Sequence, residues 1–137
     1  MKNYYTFLNM AESIKSNIIE IKKDFTEELT HYIQVGVQTD KVIIIKFSVE
    51  WCSPCKVLKN KLMKADQEGK LKNIIVLAVD AEKSGREVIV RDWKNDDLKL
   101  EFSSVPTLFI FQDGKLIEQG NDISEEKLNN PKLWITN

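Results

Sequence analysis

Val42-Ile43-Ile44-Ile45-Lys46-Phe47, followed after Ser48-Val49-Glu50 by Trp51-Cys52-Ser53-Pro54-Cys55-Lys56, is the stretch on which the reading of this 137-residue chain turns. Its two cysteines are the only ones in the sequence. Two thiols separated by two residues can close a small disulfide ring, share a metal, or trade a disulfide with a partner protein. The flanks choose among these uses. The β-branched run before the motif has the composition and length of a central strand buried on both faces. After it, Cys55, Leu58, Leu62 and Ala65 recur at helical spacing until Gly69. The pair therefore sits where a buried strand turns into a helix, with Cys52 at the helix start and Cys55 one turn inside.

That position suits disulfide exchange. The nucleophile is the thiolate, so a useful cysteine needs a lowered pKa. The unpaired N–H groups and the dipole at a helix N-terminus provide it for Cys52. Cys55, further in, is expected to be more buried and to stay protonated until needed. Pro54 fits the first turn, where no N–H donor is required, and Trp51 would shield the thiols. Cys52 would attack a substrate disulfide and Cys55 would resolve the mixed disulfide. A closed zinc site needs four ligands, which one thiol pair and a distant histidine do not supply. A cysteine hydrolase needs a histidine base, and His31 is the only histidine.

Outward from the motif, Asn73 to Val79 forms a second buried strand closing on Asp80. Residues 81 to 101 read as polar and mostly helical, with Val88, Ile89, Trp93, Leu98 and Phe102 as apolar anchors. Val105 to Phe111 then leads into Asp113-Gly114, a hairpin turn, and Lys115-Leu116-Ile117-Glu118. Ser124-Glu125-Glu126 caps a final helix, which Pro131 ends while Leu133 and Trp134 dock the tail. Towards the N-terminus, Ile18-Ile19-Glu20-Ile21 is a short strand. A helix follows with Glu27 and Glu28 in its first turn, an apolar face of Phe25, Leu29 and Ile33, and Gly36 as its end. His31 lies on it with a solvated or capping role. Residues 1 to 17 form an N-terminal extension in which Phe7, Met10, Ala11 and Ile14 have helical spacing. Strands alternating with helices predict an α/β fold, a central mixed sheet flanked by helices on both faces, over residues 18–137.

Composition excludes several functions. Charged residues make up 30% and the formal net charge is −1, which gives no case for nucleic acid or a membrane surface. Nowhere are there the roughly 18 consecutive apolar residues of a spanning helix. The start at Met1-Lys2-Asn3 lacks a secretory signal, so a cytoplasmic, reducing compartment is expected, where a structural staple is out of place.

Phe47, Trp51-Cys52-x-Pro54-Cys55-Lys56, Val105-Pro106-Thr107 and Gly114-Lys115, in this order, resemble the thioredoxin family over roughly residues 18 to 130. The resemblance implies the thioredoxin fold and a cis Pro106 beside the thiols. It also implies that an extended substrate segment pairs with the backbone of Val105. Trp51, Pro54, Val105, Pro106 and Gly120 would then make the substrate surface. Three departures stand out. The family usually has a buried Asp on the strand before the motif, thought to handle the proton of the buried thiol; counting back from Cys52, that position is Lys46. A Lys often found across from it is Ala78. Either the Lys46 stem is buried with its ammonium reaching the sheet edge, or a desolvated, neutral Lys46 accepts the Cys55 proton. Ser53 replaces a common Gly between the cysteines, and residues 80 to 106 are longer than usual. The added length reads as a solvated helix extension or as a partner surface anchored by Trp93.

The reading is a monomeric, cytoplasmic thiol–disulfide oxidoreductase that reduces protein disulfides, with Cys52, Cys55 and Lys46 as catalytic residues. It needs no metal or organic cofactor. Its partners are disulfide-containing proteins and a thioredoxin reductase-like or other dithiol electron donor. The alternative is a thioredoxin-fold adaptor module with a regulatory or vestigial thiol pair.

Overall fold

The computed structural model describes residues 16–130. The expected N-terminal helix up to residue 15, and Pro131, Leu133 and Trp134, lie outside the described residues. Chain order is β1 (Ile18–Ile21), α1 (Phe25–Thr39), β2 (Val42–Ser48), α2 (Ser53–Gln67), β3 (Ile74–Asp80), a single-turn α3 (Ala81–Ser84), β4 (Glu87–Arg91), β5 (Asp97–Glu101), β6 (Thr107–Gln112), β7 (Lys115–Gly120) and α4 (Glu125–Asn129). Five strands form one sheet in the order β1-β3-β2-β6-β7. β1, β3 and β2 run parallel, and β6 and β7 are antiparallel additions. Pairing begins at Asn17, whose carbonyl accepts the Val76 N–H at 2.7 Å.

β2 is central because its run of branched apolar residues suits burial on both faces. Successive side chains of a strand point to opposite faces. Ile43, Ile45 and Phe47 pack with Leu29 and Ile33 of α1, and with Val88, Val90 and Leu100. Val42 and Ile44 pack on the other face with Leu58, Leu62 and Ala65 of α2 and Leu128 of α4. By the same alternation Lys46 belongs to the α2 face. The turn between β6 and β7 is Asp113-Gly114, both with positive φ (53° and 77°), as a two-residue hairpin requires. Ser124 caps α4 by accepting the Lys127 N–H at 3.1 Å.

Two expectations are corrected. Residues 81–101 are not mostly helical: after the short α3, β4 and β5 form a separate antiparallel hairpin. Its residues alternate. Val88, Val90 and Leu100 are buried while Glu87, Ile89 and Arg91 face out. Arg91 pairs directly across with Asp97, at 3.2 Å. The hairpin covers the α1 side of the sheet where a third long helix was expected, so the length between residues 80 and 106 is not a helix extension. Second, Gly36 does not end α1, which continues to Thr39 and closes at Asp40 in a left-handed conformation (φ 56°). Gly36 is needed for space: a Cβ there would lie 2.6 Å from Ile43 Cγ1.

Candidate active site

The strand-to-helix junction forms as the spacing predicts. Cys52 is the N-cap of α2, in extended backbone, and Pro54 lies in the first turn. The Cys55 N–H donates to Cys52 Sγ at 3.2 Å, the capping bond that a helix N-terminus needs. Cys52 and Cys55 form a disulfide with their Cα atoms 5.2 Å apart, inside the ordinary disulfide span. Cys52 is 8% exposed and Cys55 3%. Both belong to the core beneath the site, where Phe47 packs on Phe102 and Phe109 at centroid distances of 4.5 and 5.7 Å.

The second wall comes from a distant stretch. The Val105–Pro106 peptide is cis, and the Val105 carbonyl oxygen lies 3.8 Å from Cys52 Sγ. Thr107, buried beside them, donates its hydroxyl to the Ser104 carbonyl at 2.6 Å and fixes the loop entering β6. Gly120 ends β7 opposite Leu108, two residues beyond Pro106. A Cβ at Gly120 would meet only the Asp122 carbonyl, at 3.9 Å, so neither space nor conformation demands glycine there.

Trp51 is 71% exposed and stands at the rim of the thiols. Its indole N–H donates to the Glu82 carboxylate. Glu82 was not legible as a site residue, although Asp80-Ala81-Glu82 directly follows a buried strand. Asp80 accepts the Glu82 N–H at 2.9 Å and starts α3, which brings Glu82 under Trp51.

Lys46 is 4% exposed, so its stem is buried, while its amine opens into a cavity rather than being sealed in the core. It pairs with Ala78 on one side and Leu108 on the other. Its side chain lines an open cavity of about 710 Å³ together with Cys55, Trp51, Lys59, Glu20 and Ala78. Burial holds its ammonium pKa below the usual lysine range; the nearby Lys59 charge lowers it further, and Glu20 opposes both. The lone histidine does not join this site. His31 sits on α1 in edge contact with Tyr32 and lines a different cavity, between α1 and β4. Trp93 is also elsewhere: its N–H donates to the Gly114 carbonyl in the β6–β7 turn. Among the described residues no cluster of three or more potential metal ligands occurs, and no helix is long and apolar enough to cross a membrane.

The family model for thioredoxin matches residues 17–131. A thioredoxin H-type of Nicotiana tabacum is 28% identical over 102 residues, covering 74% of this chain and 72% of the relative. A poplar thioredoxin h superposes with a TM-score of 0.58 at 18% identity, covering 85% of this chain and 93% of that one. A thioredoxin f2, solved in complex with ferredoxin:thioredoxin reductase, gives 0.52 at 18% identity, covering 84% and 92%. The sheet order is thus that of a thioredoxin fold, and with the thiol pair capping α2 beside the Val105–Pro106 loop, the chain belongs to the thioredoxin family and is a thiol–disulfide oxidoreductase.

Proposed function

We propose that this protein works in the reducing direction on protein disulfides, with Cys52 as the attacking and Cys55 as the resolving thiol. The observation that carries this assignment is the capping bond. Cys52 Sγ receives an N–H from the first turn of α2, an interaction that favours the thiolate, whereas Cys55 is one turn deeper. The Cys52 thiolate attacks one sulfur of the substrate disulfide and releases the other as a thiolate. Cys55 then attacks Cys52, the mixed disulfide breaks, and the substrate leaves as a dithiol carrying two electrons and two protons. An extended substrate segment lies along the Val105 backbone, because that carbonyl borders Cys52 Sγ. Trp51, Pro54, Pro106 and Gly120 complete the contact surface. The electron donor is a reductase or other dithiol, a reading supported by the thioredoxin f2 solved in complex with ferredoxin:thioredoxin reductase. A reducing, cytoplasmic compartment suits this direction.

Insulin reduction in the presence of dithiothreitol tests the activity. The protein is expected to accelerate it, and Cys52→Ser to abolish the acceleration. No acceleration over dithiothreitol alone would favour the adaptor reading. Cys55→Ser is expected to accumulate mixed disulfides through Cys52, and capture through Cys55 in Cys52→Ser instead would reverse the two roles.

A further inference from the structure

We propose that Lys46 takes the proton that Cys55 releases, and that the ammonium–thiolate pair so formed makes this disulfide a stronger oxidant than an apolar residue at that position would. The inference rests on the assignment of Cys55 as the resolving thiol. It begins from an unusual placement: a lysine in the middle of the most buried strand, on the face that α2 covers, in the same cavity wall as Cys55.

The surroundings leave that lysine without a counter-charge of its own. Its ammonium makes neither an ion pair nor a hydrogen bond among the described residues. Ala78 and Leu108, its strand neighbours, carry no charge. From α2 the cavity receives Lys56 and Lys59, and from α3 it receives Lys83. The end of β1 contributes Glu20 and Lys22, the loop before Trp51 contributes Glu50, and the end of β3 contributes Asp80. Four other ammonium groups against three carboxylates give no net negative field to hold a protonated Lys46. Burial, with Lys59 beside it, favours the neutral amine.

A neutral amine is a base, and the Cys55 thiol is the acid that shares its cavity wall. In the resolving step the Cys55 S–H proton passes to Lys46 Nζ. The Cys55 sulfur forms a bond to Cys52 Sγ, the bond from Cys52 to the substrate sulfur breaks, and the substrate departs as a thiolate. Lys46 then gives its proton to water in the open cavity. In the reduced protein the same transfer is an equilibrium, and in the fraction that has made it a Cys55 thiolate lies beside a Lys46 ammonium. Each charge lowers the cost of burying the other, so the reduced form is stabilised. Stabilising the reduced form makes the disulfide more oxidising. In the oxidised form no thiolate exists, so Lys46 loses its proton more readily there than in the reduced form.

The experiment is an equilibrium titration against glutathione, joined to an NMR titration of the lysine side chains in both redox states. The Lys46 resonance is expected to titrate at higher pH in the reduced protein. Lys46→Met is expected to shift the glutathione equilibrium at pH 7 at least tenfold towards the disulfide, about 30 mV. Lys46→Arg keeps the charge but cannot give up its proton; it should retain the parent equilibrium within about threefold while slowing resolution of a preformed mixed disulfide. An unchanged Lys46 titration between the two states, or a Lys46→Met equilibrium within twofold of the parent, would overturn the proposal. The NMR arm needs no variant and so survives a substitution that misfolds. Failure of the resolving-thiol assignment itself would show separately, in trapping by Cys55→Ser.

Discussion

Lys46 shows how a single buried charge links the site to stability. Its folded-state pKa lies below the roughly 10.4 of a free lysine. Between those two values the unfolded chain binds a proton that the folded chain does not, so stability rises with pH through that alkaline window. Everywhere below the free-lysine range the folded chain bears the cost of burying this amine, either by holding the ammonium or by giving up a proton that the unfolded chain keeps. Lys46→Met is therefore expected to stabilise the oxidised protein at pH 7 by about 1–3 kcal/mol, the usual cost of an uncompensated buried polar group. The advantage should shrink as pH rises towards the free-lysine range. Urea unfolding of parent and variant at neutral and alkaline pH measures both effects, and a parent more stable than the variant at pH 7 would contradict the account. This residue was legible by counting back from Cys52 against the pattern of the family that the motif resembles, since a strand fixes its partners once its register is known. Lys46 does pair with Ala78. What counting along one strand could not supply was the cavity, because its wall is assembled from β1, α2, β3 and α3.

At the scale of elements, the β4–β5 hairpin is where propensity misled. Lys, Glu and Asp crowd residues 81 to 101, and such residues suggest an exposed helix. The better signal was alternation. Glu87-Val88-Ile89-Val90-Arg91 and Asp97-Leu98-Lys99-Leu100-Glu101 place every second residue on the core side. The turn between them lacks the usual Gly and uses Asn95 in a left-handed conformation (φ 66°), with the Asp92 carboxylate accepting the N–H groups of Lys94 and Asp96. α2, by contrast, was legible from Cys52 onward because cap, proline and apolar spacing agreed. The hairpin assignment makes two adjacent residues behave differently. Val90 is fully buried and Val90→Ala is expected to cost about 1.5–3 kcal/mol, whereas Ile89, 41% exposed, should cost under about 0.5 kcal/mol when changed to Ala. Chemical denaturation of the two variants reads this directly; equal losses would fit a helix rather than a strand.

The whole molecule is polar along its strands. β2 delivers the chain to Cys52 at one end of the sheet, and β6 starts at that end beside Pro106. β6 then runs six residues to the opposite end, about 20 Å at the usual rise per strand residue. There the Asp113-Gly114 turn meets Trp93, the tip of the β4–β5 hairpin, which Lys115 also covers at 5.0 Å from the ring centroid. Trp93 thus ties two hairpins together at the end remote from the thiols, which weighs against its anchoring a disulfide substrate. Gly114 is the point of closest approach: its φ is 77°, and an added Cβ would lie 2.5 Å from Trp93 Cβ and 2.9 Å from Val37 Cγ2. Gly114→Ala therefore meets both a backbone penalty and a clash, together about 2–4 kcal/mol. Gly69, also at positive φ (74°) but with open space around it, isolates the backbone part; Gly69→Ala should cost only about 1–2 kcal/mol. Because the sheet separates this end from Cys52, Gly114→Ala is expected to lower the denaturation midpoint while leaving the insulin-reduction rate of the folded protein within about twofold. A large loss of rate at full folding would mean that the tip of the hairpin reaches the chemistry after all.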